Sequence, residues 1–470
     1  MENRIWMQSW QPANHWISIN NDNVLCNLCP RFCKIKPEKV GFCGVRKNVN
    51  GALASVNYGK SVPITCESIE TEAVFHYAPG EPILSLGNIG CMMKCDFCQN
   101  WATSQSRLVQ DHNVSYISPE SVVQYALDNN IRMLSWTYND PVVWQEFVVD
   151  TARLAKQHGI QNLYKSAFYI TPQAIDELLE VMDIFSVSIK SLDDDFYRRV
   201  TKGRLEPVLE GVKQVYGAIK QGANVHLELS NLCVTGRNDN LQESLKTAHW
   251  MLENLDANVP LHYVRFHPDY LYTQVERTDP AFLEEARTAA INAGLNYVYV
   301  GNVHGTPSSN TYCPCCQTLV VERYGLAATS FLKQGACPRC QHPIPIKMPW
   351  AEPSLLHSPQ ELPDGLPHML HSFRGVIRSC HVEQLAANPL YFQFETQDGA
   401  PVGRVQKMIS LRFMLSSPSP QASQVRLFYT GVKPHVYEVY DRAHFPVWEA
   451  ERTACHSEDV PPVLDDQKVK

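Results

Sequence analysis

No apolar run in the 470-residue sequence approaches the ~20 residues that cross a bilayer as a helix, which argues against a membrane span. The opening stretch, MENRIWMQSWQPANHW, lacks a basic region followed by an apolar one, so a secretory leader is not expected. Positive charge is not in excess either. With 41 Lys and Arg against 48 Asp and Glu, the net charge of −7 makes nucleic acid an unlikely main partner, since a large footprint needs a basic face. No internal repeat is visible. Cysteine, by contrast, is plentiful: 16 residues, mostly in close-spaced clusters along a long chain. That usage reads as metal binding in a reducing compartment rather than a disulfide scaffold, and a cytoplasmic location is expected.

The central cluster lies in SLGNIGCMMKCDFCQNWATSQ, residues 85–105, where Cys91, Cys95 and Cys98 follow the strand-like run Ile83–Leu86. Three thiolates on one short loop can converge on a single metal centre. A closed zinc site wants four protein ligands. A cubane of four irons and four sulfides accepts three, leaving one iron open to chelate a small molecule and pass it an electron. A site completed by a distant ligand, or three free thiols, are the plain alternatives.

Cys91, Cys95, Phe97 and Cys98 match the motif of the radical S-adenosylmethionine (SAM) enzymes. Within that superfamily the chain resembles the AmmeMemoRadiSam-system enzymes, relatives of the pyruvate formate-lyase activating enzymes. The stretches CNLCPRFCKIKPEKVGFCGVRKN, FHYAPGEPILSLGNIGCMMKCDFCQNW, TYNDP, LHYVRFHPDY, GLNYVYVGNV and NTYCPCC carry the likeness, over residues 22–345. The resemblance implies a 4Fe-4S cluster on Cys91, Cys95 and Cys98, S-adenosyl-L-methionine as cofactor, and an electron donor such as flavodoxin or ferredoxin. It also implies SAM contacts. Phe97 would pack by the adenine, and Asn139 and Asp140 of TYNDP would stand where activating enzymes carry a Gly-Gly-Glu-Pro stretch facing the SAM amino group. Lys190 of SVSIKSL matches the lysine of an Asp-Leu-Lys motif whose acid is here Ser188, and Glu228 and Asn231 would contact SAM at a strand end.

Two departures from the family pattern stand near the active face. Ser166-Ala167-Phe168 replaces a Thr-Asn-Gly stretch, which would make the pocket wall bulkier and more apolar. Thr71-Glu72-Ala73 replaces a common Lys-Lys-Pro. His262, Arg265 and His267 are expected as substrate-side or fold-locking groups.

The fold expected is α/β: a partial (β/α)6 radical SAM barrel over residues 74–305 with an N-terminal Cys-rich module, a zinc-ribbon-like segment and a small β-rich C-terminal domain. Strand candidates PILSLG, MLSWTY, NLYKSAFY, IFSVSIK, NVHLELSNL, VPLHYVRF and NYVYVG alternate with helix candidates near 119–129, 143–158, 171–181, 205–221, 241–255 and 281–293. Ser118-Pro119 and Thr171-Pro172 read as helix starts, Gly159 and Gly222 as stops. In such a barrel, chemistry belongs at the carboxyl ends of the strands.

Residues 1–73 carry Cys26, Cys29, Cys33 and Cys43 among turn-forming Pro and Gly, a spacing that suits zinc or a second iron–sulfur cluster equally. Cys66 stands alone, as core thiols do. At 306–350, Cys313, Cys316, Cys337 and Cys340 form two Cys-x-x-Cys knuckles, a zinc-ribbon pattern for Zn2+ with Cys315 as a spare. A Pro-rich linker is expected at 351–372, then a β-rich domain over 373–470 ending in a disordered tail. His368, His371, Cys380, His381, Cys455 and His456 there show no ligand spacing. The function read from all this is reductive SAM cleavage and hydrogen abstraction from a peptide or small organic substrate, with glycyl-radical activation as one case. RNA modification and a non-catalytic metal scaffold are the alternatives.

Overall fold

The computed structural model describes residues 4–350 and, beyond them, the backbone of seven short strands between 379 and 449. The chain falls into two compact units. One holds Met1–Ile64 and Ser68–Ser354; the other holds Leu355–Lys470 with the short stretch Thr65–Glu67.

The first unit is built on parallel strands lying side by side in sequence order: β1 (Pro82–Asn88), β2 (Met133–Thr137), β3 (Gln161–Ser166), β4 (Ile184–Ile189), β5 (His226–Cys233), β6 (Leu261–Arg265) and β7 (Val298–Gly301). Between consecutive strands run α1 (Pro119–Asp128), α2 (Gln145–Gln157), α3 (Pro172–Val181), α4 (Glu206–Lys220), α5 (Leu241–Asn254) and α6 (Pro280–Ala293). Lys60–Ser68 and Ser115–Tyr116 extend the sheet past β1 to nine strands, and its order ends at β7 without closing. The result is a mixed α/β fold on a large, partly barrel-like sheet.

The elements form where local chemistry favours them. Ser118 caps α1 reciprocally: its hydroxyl accepts from Ser121 N at 3.2 Å, and Ser121 Oγ accepts from Ser118 N at 2.9 Å. Gly159 and Gly222, just past α2 and α4, take φ of +74° and +99°, the left-handed region that ends a helix most cheaply on glycine. Thr171 does not cap α3 with its side chain. Its hydroxyl instead donates to the Asn27 and Leu28 carbonyls at 2.9 and 3.1 Å, tying that helix start to the N-terminal module.

Alternation along the strands sets two faces. On β3, β4 and β5, Lys165, Ser186 and Glu228 share a register and meet the interior segment around Glu72 and His76. Phe185 lies on the opposite face. Phe168 joins it there, fully buried, its ring 5.8 Å from Phe185 and packed where α4 bares Gly211. The bulkier, more apolar opening expected from Ala167-Phe168 therefore does not arise, because the Phe168 ring is in the layer between sheet and helices. Its φ of +58° shows why a Gly suits this position in the family pattern.

The N-terminal module pairs Trp16–Ile19, Asn23–Cys26 and Cys33–Ile35 into one small antiparallel sheet, with Gln11–Pro12, Ala52–Ser55 and Arg46–Val49 in another. Residues 311–330 form a three-stranded ribbon. Its Cys313, Val320, Val321 and Cys337 share a core with Phe75, Tyr297 and Tyr299, at the amino ends of β1 and β7. The ribbon is thus a clip on the barrel's base, opposite the strand ends where chemistry is expected.

In the second unit, Ser379–Gln384, Leu390–Glu395 and Pro401–Gln406 form an antiparallel meander with Leu427–Phe428 on its edge; Leu411–Leu415, Tyr437–Asp441 and Trp448–Glu449 form another sheet. The expected linker at 351–372, the tail, and His368, His371, Cys455 and His456 lie outside the described residues, as do the side chains of Cys380 and His381.

Ser118→Ala removes an exposed cap and should cost about 1 kcal/mol. A lower urea midpoint with an unchanged denaturant slope is the expected reading.

Candidate functional site

The cysteine loop leaves the carboxyl end of β1 through Gly90, whose φ is +89° and whose added Cβ would stand 2.9 Å from both the Cys43 carbonyl and the Val45 side chain. Only glycine fits. Beyond it, Cys98 N donates to Cys95 O at 3.2 Å, Met93 N to Cys91 Sγ at 3.3 Å, and Ser104 Oγ lies 3.3 Å from Cys98 Sγ. Lys94 N and Asp96 N donate to the Thr201 and Val200 carbonyls, both at 3.1 Å, which fixes the loop against the turn after β4. Trp101 Nε1 donates to Asp269 at 2.9 Å and its ring stacks on Tyr270, so the segment after β6 leans over the loop.

The Cys91 and Cys95 thiols are electrostatic neighbours of Cys98 and of Asp140. Burial, then the Asp140 charge, raises the Cys91 thiol well above its ordinary value. Burial pushes Cys95 up to about 12 against the pull of Lys190, and raises Cys98 as well. Thiolates are costly at such a place unless a cation sits among them, and an iron centre removes that cost. The donor set therefore fits an iron–sulfur cluster.

Lys190, directly after β4, donates to Ser188 Oγ at 2.8 Å and faces Cys95, Cys98 and Asp140. Asp140, at the tip of β2, accepts from Ser166 Oγ at 2.8 Å, Ala167 N at 2.9 Å and Val142 N at 3.3 Å. Burial raises its carboxyl despite these bonds. Asn139 donates to the Asn88 carbonyl and accepts from Thr103 Oγ1 at 3.1 Å, bracing β1 and the helical turn after Cys98. The fold brings Cys91, Cys95, Cys98, Asp140 and Lys190 together, with Asn139 next to them.

Other residues expected at the cofactor have these protein neighbours. Phe97 is a buried core aromatic, 6.3 Å from the rings of Phe196 and Phe266. Asn231 donates to the Ile189 carbonyl at 3.1 Å and links β5 to β4. Arg265 donates to Thr278 O at 2.8 Å, and His267 is half-buried in the loop that follows.

Glu228 was expected at a strand end but is the third residue of β5, fully buried at the base. Its carboxylate accepts from Phe75 N at 2.9 Å, His76 N at 2.6 Å, His226 Nε2 at 2.9 Å and His262 Nε2 at 2.7 Å. Burial alone would raise this carboxyl; the bonds from His226 and His262 outweigh it and hold it well below the usual carboxylate range. His262 is pushed down by burial, so a neutral ring donating through Nε2 fits the network. Glu228 and His262 lock the fold.

Sequence reasoning missed Glu72 and Lys165. The Glu72 carboxylate accepts from Ser135 and Thr137 hydroxyls, both at 2.8 Å, and its carbonyl accepts from Lys165 Nζ at 2.8 Å and Ser186 Oγ at 2.7 Å. The available signal was the inward alternation of polar residues on β3 to β5.

At the ribbon, Cys313, Cys316, Cys337 and Cys340 offer sulfurs all within 4.8 Å of one another, with Cys313–Cys340 at 3.5 Å and Cys316–Cys337 at 3.6 Å. A tetrahedral ion with metal–sulfur bonds near 2.3 Å holds its sulfurs roughly 3.8 Å apart, so the set fits a single metal. Cys315 is exposed and outside the group. The expectation of a matching centre at the N-terminus is corrected here: among the described residues the close-set group is the C-terminal one. Cys26, Cys29, Cys33 and Cys43 are electrostatic neighbours, with Cys26 paired opposite Cys33 across a hairpin, but their sulfurs do not gather within 4.8 Å of one another as those of the ribbon do.

A loop of three thiols thus stands at the carboxyl end of the first barrel strand, with a lysine and a carboxylate beside it. The family description "Radical SAM superfamily" matches residues 88–251. The uncharacterized protein MJ0808 of Methanocaldococcus jannaschii is 39% identical over 314 residues, 66% of this chain and 91% of that protein. The pyruvate formate-lyase 1-activating enzyme of Escherichia coli K12 is 25% identical over 114 residues, 24% of this chain and 46% of the enzyme, so the aligned stretch spans about half of that relative. Among solved structures, a domain of pyruvate-formate lyase-activating enzyme from Bacteroides vulgatus is similar over 36% of this chain and 98% of that domain, at 14% identity and a TM-score of 0.30. This chain belongs to the Radical SAM superfamily and is an enzyme of that class. No helix among the described residues is long and apolar enough to cross a membrane.

Glu228→Ala strands buried donors and should cost about 3–5 kcal/mol in chemical denaturation. Because the folded carboxyl titrates below its ordinary 4.5, its stabilisation is present above that pH and lost as pH falls toward the folded value. Glu228→Gln should therefore flatten the acid limb of the stability–pH curve. An acid limb identical to wild type would count against the lock.

Proposed function

We propose that this protein reductively cleaves S-adenosyl-L-methionine and uses the resulting radical to abstract hydrogen from a peptide or small organic substrate, as a member of the AmmeMemoRadiSam branch. The observation that carries the reading is the convergence of Cys91, Cys95, Cys98, Lys190 and Asp140 at one end of the barrel.

Cys91, Cys95 and Cys98 would hold a 4Fe-4S cluster. When bound, that cluster supplies the electron that splits the sulfonium into methionine and a 5′-deoxyadenosyl radical. Lys190 offers an ammonium to the SAM carboxylate. Asp140 supplies negative charge on the amino side while Ser166 and Ala167 hold its carboxylate in place. Asn88 supports this assignment: its Oδ1 is buried at the tip of β1 without a hydrogen-bond partner, beside the Asp140 backbone. Met92, Met93 and Phe97, all buried, keep bulk water from the loop. Flavodoxin or ferredoxin is the proposed electron donor. Cys313, Cys316, Cys337 and Cys340 would hold one zinc that staples the ribbon to the barrel's base.

Anaerobically reconstituted, dithionite-reduced protein should convert SAM to 5′-deoxyadenosine, and Cys95→Ala should lose both about four irons per chain and the product. A reconstituted protein that binds iron yet neither binds nor cleaves SAM would sink the proposal. Metal analysis of Cys337→Ala should show loss of about one zinc with iron retained; loss of iron instead would reassign the ribbon.

A further inference from the structure

Where the cysteine loop meets the N-terminal module, positive charge gathers at the surface. Arg31 of that module donates to the Met92 carbonyl and to the Lys202 carbonyl, tying the loop to the turn after β4. Its guanidinium lies 3.5 Å over the Phe42 ring, and Lys94 Nζ lies 4.5 Å from the centre of the same ring. Arg31 and Arg107 are electrostatic neighbours of Lys94. The turn that carries Arg107 is fastened here too: Arg4 donates to the Ser106 and Arg107 carbonyls, and a Cβ on Gly44 would stand 2.0 Å from Ser106 Oγ. Lys94, Arg107 and Lys202 are exposed and Arg31 is half-buried. Of these four cations, Lys202 has a carboxylate partner among the described residues, Asp96 at 3.3 Å, and the other three have none. Phe32 and Leu108, next in the chain to Arg31 and Arg107, are exposed at 49% and 36%.

Arg31 has a structural task in bracing the loop. The charges of Lys94 and Arg107 brace nothing, and like charges held together repel. A chain of net charge −7 turns an acidic protein away over most of its surface and draws it to such a place, so the cations set orientation as well as attraction. Position then says what kind of acidic protein. The carbonyl that accepts from Arg31 belongs to Met92, the residue bonded to Cys91. Electron tunnelling falls off steeply with distance, so a protein that delivers electrons must meet the surface nearest the acceptor. Here that surface rests on the loop itself, while Lys190 and Asp140 approach the same thiols from β4 and β2.

We propose that Arg31, Lys94, Arg107 and Lys202, with Phe32 and Leu108, form the docking surface for an acidic one-electron carrier protein. The inference rests on the reading of Cys91, Cys95 and Cys98 as the holders of an iron–sulfur cluster, and it adds where the donor binds. One electron leaves the carrier's reduced cofactor, which is oxidised by one equivalent, and enters the cluster, which is reduced by one; no covalent bond forms or breaks. Contacts of this kind are small, below about 1,200 Å² of total buried surface. Their strength comes from charge at the rim and a few apolar groups, so salt weakens them.

The test uses the anaerobically reconstituted full chain with two reductants: an acidic flavodoxin, and photoreduced 5-deazaflavin as a small uncharged one. Stopped-flow absorption follows bleaching of the cluster, and calorimetry follows binding of oxidised flavodoxin, where no turnover occurs. Combining Lys94→Gln with Arg107→Glu should slow bleaching by flavodoxin and weaken its binding, each at least about tenfold, while bleaching by deazaflavin stays within about twofold. In wild type, raising the ionic strength from about 0.05 to about 0.3 M should slow flavodoxin at least about fivefold and leave deazaflavin unchanged. That arm needs no variant, so it stands if the double variant fails to fold. Flavodoxin reduction indifferent to the substitutions or to salt overturns the docking surface. So does a wild-type cluster that deazaflavin bleaches and flavodoxin does not. Equal slowing with both reductants overturns it as well, because the effect would then lie in the cluster loop. A reconstituted chain without iron–sulfur absorption, or with absorption that neither reductant bleaches, counts instead against the cluster reading.

Discussion

One segment, Glu72 to His76, holds the barrel in its curve, and its hold depends on the buried carboxylate of Glu228. A row of parallel strands paired edge to edge needs nothing beyond its ladder to remain an open twisted sheet. Here the chain entering β1 crosses the interior. The Glu72 side chain reaches β2 through Ser135 and Thr137, its carbonyl reaches β3 and β4 through Lys165 and Ser186, and the Phe75 and His76 amides reach β5 at Glu228. His76 continues to β7 with a 2.5 Å contact to Tyr299. Contacts that span from the second strand to the seventh pull the sheet's amino ends around a common axis.

That base is reinforced from below. Arg323 of the ribbon donates to the Phe75 carbonyl at 2.6 Å and to Thr311 Oγ1 at 2.8 Å, and its guanidinium lies 4.1 Å over the Phe75 ring. Tyr299 Oη lies 2.9 Å from Thr311 Oγ1. The tetrathiolate group thus stiffens the strands that Glu228 gathers, and the ribbon's role follows from where its arginine goes. A chain with a rigid base can leave its opposite end to loops, which is where radical chemistry needs an opening for cofactor and substrate.

The strands and helices were legible because their signals are local. Apolar runs such as PILSLG and IFSVSIK, punctuated by Ser118-Pro119, Gly159 and Gly222, mark elements that form within about two residues of expectation. The cysteine loop, Asp140 and Lys190 were legible as motif positions at strand ends. Other placements depend on what crosses the barrel, which no window of sequence contains. Glu228 reads as a polar residue near a strand end until Phe75 and His76 are seen to sit on it. Phe168 reads as a pocket wall until its left-handed backbone turns the ring under α4. Glu72 reads only as a departure from a family pattern, although it is the residue from which the base is organised.

The polar interior then divides by how its groups are satisfied. An unpaired buried donor or acceptor costs about 1–3 kcal/mol, and a charged one more, so evolution of a purely structural interior drives every such group to a partner. Glu228 meets that standard, with donors on both carboxylate oxygens. The groups nearer the cysteine loop do not. Three thiols are raised by burial, and the Asn88 side-chain oxygen has no hydrogen-bond partner. An iron–sulfur centre and a zwitterionic sulfonium cofactor would remove these deficits together, at the end of the barrel where the cysteine loop stands.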